Sequence, residues 1–452
     1  MATQGDNGYA TPVAHPHTHT PDEDAVHKLY IPFMDGYDHP TAVRQTSVSQ
    51  LAQPDPMTYD EITTLVHESL RNGEALSAVQ LDAVALAAKC FQQETAFIVG
   101  DATGLGKGRT AVGILRNPWL TLSPKVTARR ALYFSTPQLF ETLKRDVDAV
   151  FTAEERRNLT VVSLKDFKPA DRRKRPVGDE IIFVSYSMLA GKHSGRDLNF
   201  LTKYITGAPN GKVPLLVDES HTLKNCNLQS KSGSQAAKAA LTLFTNTRAS
   251  TAITFLSATF AANLEDLRLY ASFVGLEGQL PNSVGFASFD HLRKKMGTNK
   301  DASSLEFISA ELIRSGKMVS RVLAFDGVEF SEEVVKLPKE WWVQSDGASL
   351  LFEDLQILGI FRPYQRAAHF YSRQMCFFKA LALSGKVART VEVAKKELAA
   401  GHQVVISLMG TGEAAAKRAV HNSQQAMQRN SGGPEEDISG VSDAGVRDTL
   451  FA

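Results

Sequence analysis

Gly100-Asp101-Ala102-Thr103-Gly104-Leu105-Gly106-Lys107-Gly108-Arg109-Thr110 follows the apolar run 96–99 (AFIV) and precedes a stretch expected to be helical. A glycine-rich turn between a strand and a helix is the setting a phosphate-binding loop requires. The glycines let backbone N–H groups converge on phosphate oxygens, and the N-terminus of the next helix adds partial positive charge. Lys107 is placed to reach terminal phosphates, with Gly104, Gly106, Gly108, Arg109 and Thr110 completing the loop and the first helical turn. Two positions depart from the pattern G-x-x-x-x-G-K-[ST]. Asp101 stands where the first glycine would be, with Gly100 one residue early, and Gly108 stands where a Ser or Thr would meet Mg²⁺. The bland alternative is a strand-to-helix turn that binds nothing.

Outward from the loop, short runs rich in β-branched and aromatic residues recur at 131–134 (ALYF), 159–163 (LTVVS), 181–184 (IIFV), 214–217 (PLLV) and 252–256 (AITFL). Most are separated by enough chain for a crossover helix, so the spacing predicts an α/β domain with a parallel sheet covered on both faces. Before the loop, Ser77 is placed as an N-cap for a helix carrying Leu81, Val84, Ala85 and Ala88 at helical spacing. In parallel sheets ligands bind beyond the carboxyl ends of the strands. The run Leu215-Leu216-Val217-Asp218-Glu219-Ser220-His221 therefore brings two carboxylates and a histidine to the crevice of Lys107. Asp218 is placed to hold a nucleotide's Mg²⁺, and Glu219 to orient or deprotonate the attacking water. A solvated pair of acids is the alternative for that run alone. Phe255-Leu256-Ser257-Ala258-Thr259 ends a further strand, where the hydroxyls of Ser257 and Thr259 could couple the centre to a moving domain.

The order of these three elements is that of superfamily 2 helicases and translocases. The D-x-x-G-x-G-K register, with Tyr186-Ser187-Met188-Leu189 after strand 181–184, resembles Swi/Snf-type remodellers. The chain more closely resembles the strawberry notch family of helicase-like proteins. That likeness is carried by G-D-x-x-G-x-G-K-G-R at 100–109, His39-Pro40, Pro54-Asp55-Pro56, Ser77-Ala78-Val79-Gln80-Leu81, Val217 through Asn225, Leu256-Ser257-Ala258-Thr259, Gly401 through Ser407, and Thr411-Gly412-Glu413-Ala414. It implies a RecA-like P-loop NTPase with ATP and Mg²⁺ as cofactors, Gln80 placed where such proteins contact adenine, and Gly108 ordinary for the family. It also implies DNA as partner, with RNA left open.

The rest of the chain sets the expected organisation. Residues 1–29 read as a disordered polar tail, in which His15, His17 and His19 alternate without a Cys or carboxylate at ligand spacing. An arm and a helix from Ile62 to Asn72-Gly73 fill 30–76, the ATPase domain 77–280, and a helical insertion or connecting region 281–385, with Val319–Phe325 as its first convincing strand. A second RecA-like domain is expected to open over 386–422. There Val387, Val391, Ala394 and Leu398 share a helix face, Gly401 stops the helix and Val404-Val405-Ile406 forms a buried strand. A polar and acidic tail follows over 423–452. No Q-x-x-G-R-x-x-R element follows the opening of that second domain, and neither Arg366 nor Arg373 lies in an arginine-finger motif. A longer polypeptide or a partner chain is therefore expected to supply the missing half.

With 50 Lys+Arg against 49 Asp+Glu and a formal charge of +1, bulk charge does not drive nucleic-acid binding, so any contact must be local. The densest basic run is Lys165, Lys168, Arg172, Arg173, Lys174 and Arg175, which reads more simply as a solvated loop. Trp341-Trp342 is expected in a core. The three cysteines, Cys90, Cys226 and Cys376, form neither a disulfide framework nor a zinc module, which fits a reducing compartment. No run approaches the ~18 apolar residues needed to span a bilayer, and the N-terminus lacks a signal pattern. A soluble intracellular protein, cytoplasmic or nuclear according to host, is expected. Its expected work is that of an ATP-binding and ATP-hydrolysing helicase or translocase module acting on DNA or DNA–protein complexes. The rivals are an ATP-regulated scaffold or transcription co-regulator that hydrolyses little, and a small-molecule kinase.

Overall fold

The computed structural model describes residues 28–407 apart from 55–56, 58, 123–127, 168–177, 192, 210, 225, 227, 229–232, 277–287, 297–301, 325–330 and 359–363. The described residues fall into two compact units, one ending before Phe330 and one beginning there. The polar tails, the histidine run, Thr411–Ala414 and most of the basic run lie outside the described residues.

The first unit is built on seven parallel strands. They are β2 (Phe97–Val99), β3 (Arg130–Ser135), β4 (Leu159–Ser163), β5 (Asp179–Ser185), β6 (Val213–Asp218), β7 (Thr251–Leu256) and β8 (Met318–Val319), in the order β4-β5-β3-β6-β7-β2-β8. A separate antiparallel pair joins β1 (Val43–Gln45) to β9 (Arg321–Leu323). Six of the seven fall on the apolar runs, and β2, β3, β5, β6 and β7 do so because a strand buried on both faces must be apolar on both, whereas β4 is a half-exposed edge strand. Alternate residues then go to opposite faces. Ile98, Leu132, Phe134, Leu215 and Phe255 enter one core cluster, whereas Phe97, Val99, Ala131, Tyr133 and Leu216 enter the other. The helices α1 (Ala78–Gln92), α2 (Lys107–Thr121) and α3 (Phe140–Val150) cover the second cluster. The first is covered by α4 (Ser194–Thr206), α5 (Gln235–Thr247) and α6 (Ala302–Arg314). This is the α/β, RecA-like architecture.

Several expectations are corrected. The helix from Ile62 breaks into Tyr59–Leu65 and Glu68–Arg71, because the His67 N–H donates to Asn117 Oδ1 at 2.9 Å instead of to a preceding turn. The region after 281 does not stand apart as one connecting piece. Ile308, Leu312, Ile313 and Met318 pack into a main core cluster, and β8 extends the sheet beside β2. The expected strand 319–325 is two strands in two sheets, since the chain leaves β8 at Ser320 and turns to pair with β1. The segment expected as an irregular extended arm does lie on the core, but it carries β1 and a short helix, Ser47–Leu51. Tyr30 and Met34 both bond Asp82, which is fully buried in α1.

The second unit contains two helices, α7 (Lys339–Ile357) and α8 (Tyr364–Ala399), joined by Phe352, Phe370, Phe377 and Leu381. Trp341 packs beside this cluster, its indole N–H on the Leu381 carbonyl at 3.0 Å. Trp342 is 55% exposed, against the expectation of a core pair. The second domain's expected opening is only partly seen. Gly401 takes φ +85° just past α8, as a helix stop requires, but 402–407 form no strand and Val405 is 93% exposed. Among the described residues that segment has no sheet to join, and a lone strand leaves its backbone groups unpaired. Among the described residues, no helix is long and apolar enough to cross a membrane.

Candidate functional site

Parallel register assembles the site. Val99 pairs with Leu256, and Leu256 in turn with Asp218, so β2, β7 and β6 end on one level. The residues that follow leave the same edge of the sheet together. They are the Gly100–Thr110 loop, Ser257 and Glu219. The Ser257 N–H donates to the Val99 carbonyl at 3.1 Å, carrying the alignment one residue beyond the strands.

The loop turns at two glycines with positive φ, Gly104 at +98° and Gly106 at +73°, a region L side chains enter only at a cost. Gly106 is the N-cap of α2, and the Lys107 ammonium folds back onto the carbonyls of Asp101 and Ala102 at 2.9 and 3.1 Å. Thr110 is buried with its hydroxyl on the Gly106 carbonyl at 3.3 Å, whereas Arg109 is exposed. Gln80 lies against the loop. Its Oε1 accepts the Ser77 N–H at 3.0 Å, and its Nε2 donates to the Leu105 and Gly106 carbonyls, both at 3.2 Å. Contact between this amide and an adenine ring would require one of those bonds to be exchanged.

Asp101 occupies the position of the absent first glycine and is only 1% exposed. Its carboxylate takes a two-point grip from Arg321, Nε to Oδ1 at 2.9 Å and Nη2 to Oδ2 at 2.6 Å, and also accepts the Arg321 N–H at 3.1 Å. Backbone bonds reinforce it, with Gly100 N on Val319 O and Ala102 N on Arg321 O, each at 2.8 Å. The start of the loop is thereby fixed to the 319–321 segment. Arg321 also lies over the Tyr30 ring and donates to the Val79 carbonyl. Nothing local in the sequence pointed to Arg321. The one available signal was an aspartate where a glycine was expected, which demands a buried partner.

At the end of β6, Asp218 is nearly buried. Oδ2 accepts the Ser135 hydroxyl at 3.0 Å, Oδ1 accepts the Glu219 N–H at 3.0 Å, and the Tyr186 hydroxyl donates to its carbonyl. Burial pushes the Asp218 carboxyl above the usual range, opposed by the Ser135 hydroxyl and assisted by the charge of Glu219. Glu219 adopts a left-handed conformation, φ +50°, uncommon for a non-glycine residue. It turns the chain out of β6 into the turn Ser220–Leu223. His221 Nδ1 lies 3.2 Å from Glu219 Oε2 and 3.0 Å from Ser257 Oγ. Ser257 Oγ also accepts the Thr259 N–H at 3.2 Å. Glu219, His221, Ser257 and Thr259 therefore form one connected chain of contacts, while the Thr259 side chain is exposed.

The donors here suit a hard cation, since Asp218 presents carboxylate oxygen and the surrounding partners are hydroxyls and amides. Among the described residues no group of three or more His, Cys, Asp or Glu side chains could hold a metal ion. Mg²⁺ is commonly held by one or two carboxylates together with substrate phosphates, which is the arrangement these residues fit.

The family described as "P-loop containing NTP hydrolase pore-1" matches residues 38–344. Mouse protein strawberry notch homolog 2 is 29% identical over 396 residues, covering 84% of this chain and 27% of the relative. Rat protein strawberry notch homolog 1 is 30% identical over 404 residues, covering 84% and 30%. The chain thus spans less than a third of these relatives' length. Among solved structures, the Sulfolobus solfataricus SWI2/SNF2 ATPase core in complex with dsDNA matches at 17% identity with a TM-score of 0.37, covering 72% of this chain and 65% of that one. So low a score adds nothing to the sheet order already described.

Proposed function

The chain belongs to the P-loop containing NTP hydrolase pore-1 family, and from that premise we propose that it binds ATP with Mg²⁺ and hydrolyses it. It does so as the motor module of a strawberry notch-like helicase or translocase acting on DNA or DNA–protein complexes. The observation that supports this reading best is the shared level of Val99, Leu256 and Asp218, which brings a glycine-rich loop, an acid pair and Ser257 to one edge of the sheet.

In this reading the loop amides and Lys107 bind the phosphates, and Lys107 exchanges its hold on the Asp101 and Ala102 carbonyls for phosphate oxygens. Arg109 and Thr110 complete the first turn of the phosphate-facing helix, and Gln80 sets the position of Leu105 and Gly106 beneath the nucleotide. Asp218 holds Mg²⁺, which when bound neutralises phosphate charge. Glu219 orients the attacking water and accepts its proton, while His221 steadies the Glu219 carboxylate. Ser257 and Thr259 pass the state of that carboxylate to the segment beyond β7.

The test is steady-state ATP hydrolysis with and without single- and double-stranded DNA, alongside calorimetric ATP binding. Lys107→Ala removes a charge-assisted contact worth ~1.5–3 kcal/mol and should weaken binding at least about tenfold. Unchanged affinity in the folded variant would refute the assignment. Nucleotide binding without hydrolysis, with or without DNA, would identify the non-motor scaffold instead.

A further inference from the structure

Gly108 leaves the loop without the hydroxyl that other phosphate loops direct at Mg²⁺. The space is not empty. A Cβ built on Gly108 would lie 2.1 Å from Asp146 Oδ2 and 3.1 Å from its Cγ. A carboxylate from α3 therefore fills the volume that a Ser or Thr side chain would take, and a side chain at 108 could enter only if the Asp146 carboxylate moved aside. Leu143, Val147 and Val150 anchor α3 in the core, which leaves Asp146 at the margin of the buried face, half-buried beside the loop. Among the described residues it makes no hydrogen bond or ion pair. Arg145 and Arg109 act on it only at longer range, and burial raises its pKa.

Tyr133 links this carboxylate to the acid pair. It is buried on β3, where the charges of Asp218 and Asp146 both act on it. Asp146 meets the loop directly at Gly108, and its charge and that of Asp218 act on the same buried Tyr133. An unpaired negative charge beside a loop shaped for a triphosphate would repel that ligand unless a cation lay between them.

We propose that Asp146 supplies from α3 the oxygen that Gly108 lacks, so that the nucleotide's Mg²⁺ is held by Asp146 together with Asp218. This rests on the nucleotide reading above and names the second protein group that holds the cation. The competing role is purely structural, with Asp146 stabilising the positive N-terminal end of α2.

The test is binding of a fluorescent ATP analogue by anisotropy, in EDTA and across a MgCl₂ titration. For Asp146→Asn the half-saturating Mg²⁺ concentration should rise about tenfold, the loss of one charge-assisted contact. Its affinity in EDTA should hold or improve, because a repulsive charge has gone. A relocated ligand gives the second arm. Gly108→Thr alone should clash with Asp146 and weaken binding, whereas Asp146→Ala with Gly108→Thr should recover the Mg²⁺ dependence that Asp146→Ala loses. Wild-type Mg²⁺ dependence in Asp146→Asn, or no recovery in the double variant, would overturn this inference while nucleotide binding stands. Failure of the folded wild-type protein to bind the analogue at any Mg²⁺ concentration would overturn the nucleotide reading and this inference with it.

Discussion

Replacing Arg321 with Met keeps much of the side chain's volume but strands the Asp101 carboxylate, 1% exposed, without its cation. Breaking a buried ion pair from one side typically costs ~3–5 kcal/mol, a large share of the ~5–15 kcal/mol that holds a domain together. The cost comes from leaving a charge in a poorly solvating interior. Asp101→Asn should be milder. It leaves Arg321 unpaired with Asp101, but the Arg321 charge already acts on Asp82, which can become the counter-ion. The Asp101→Asn/Arg321→Met double variant should lose less than the sum of its parts, because neither charge is then left alone. Urea unfolding can be followed at Trp119, buried at 2% exposure in α2, after Trp341 and Trp342 of the second unit are changed to Phe. A loss under ~1 kcal/mol for Arg321→Met, or a larger loss for Asp101→Asn than for Arg321→Met, would refute the reasoning.

Glu219→Gln should keep ATP binding while hydrolysis falls by roughly 10²-fold or more, whereas Asp218→Ala should weaken the Mg²⁺ dependence of binding; equal loss of ATP affinity in both would contradict the division of labour. Gly106→Ala forces a Cβ into φ +73° and to 2.5 Å from Gln80 Nε2, so thermal unfolding should show a loss of ~1–2 kcal/mol. Adding Gln80→Ala should relieve the clash but not the backbone strain. Burial lifts the Asp82 carboxyl from the usual 3.8 to about 7, against the charge of Arg321 and the Tyr30 hydroxyl. Because the folded value is the higher one, Asp82 contributes stability that is complete below pH 3.8 and is lost as pH rises through about 7. Asp82→Asn should flatten that limb of the stability–pH curve, and an unchanged slope would count against the shift.

The sheet and the loop were legible because their signals are local. A parallel strand buried on both faces must be an unbroken apolar run, so β2, β3, β5, β6 and β7 could be read directly from their own few residues, and the edge strand β4 from its β-branched residues. A phosphate loop needs its glycines and lysine at fixed spacing, and the acids at the end of β6 then follow from the rule that ligands meet the carboxyl edge of a parallel sheet. Short segments were harder. The two-residue β8 carries too little periodicity to separate it from β9, and the helix from Ile62 looked continuous until Asn117, 50 positions away from His67, took the N–H at its break.

Sequence alone determined the α/β class, the loop, the acid pair and their common edge, since each depends on residues within one element and on the fixed geometry of parallel strands. Only the tertiary structure decided what supports them. Asp101 and Arg321 are 220 positions apart, and Asp146 meets Gly108 from a different helix. An aspartate read in isolation carries no record of whether its partner will be an arginine, a cation or water. That choice is made when packing removes water from around it, because a buried charge must then be matched by whatever group the fold has brought alongside.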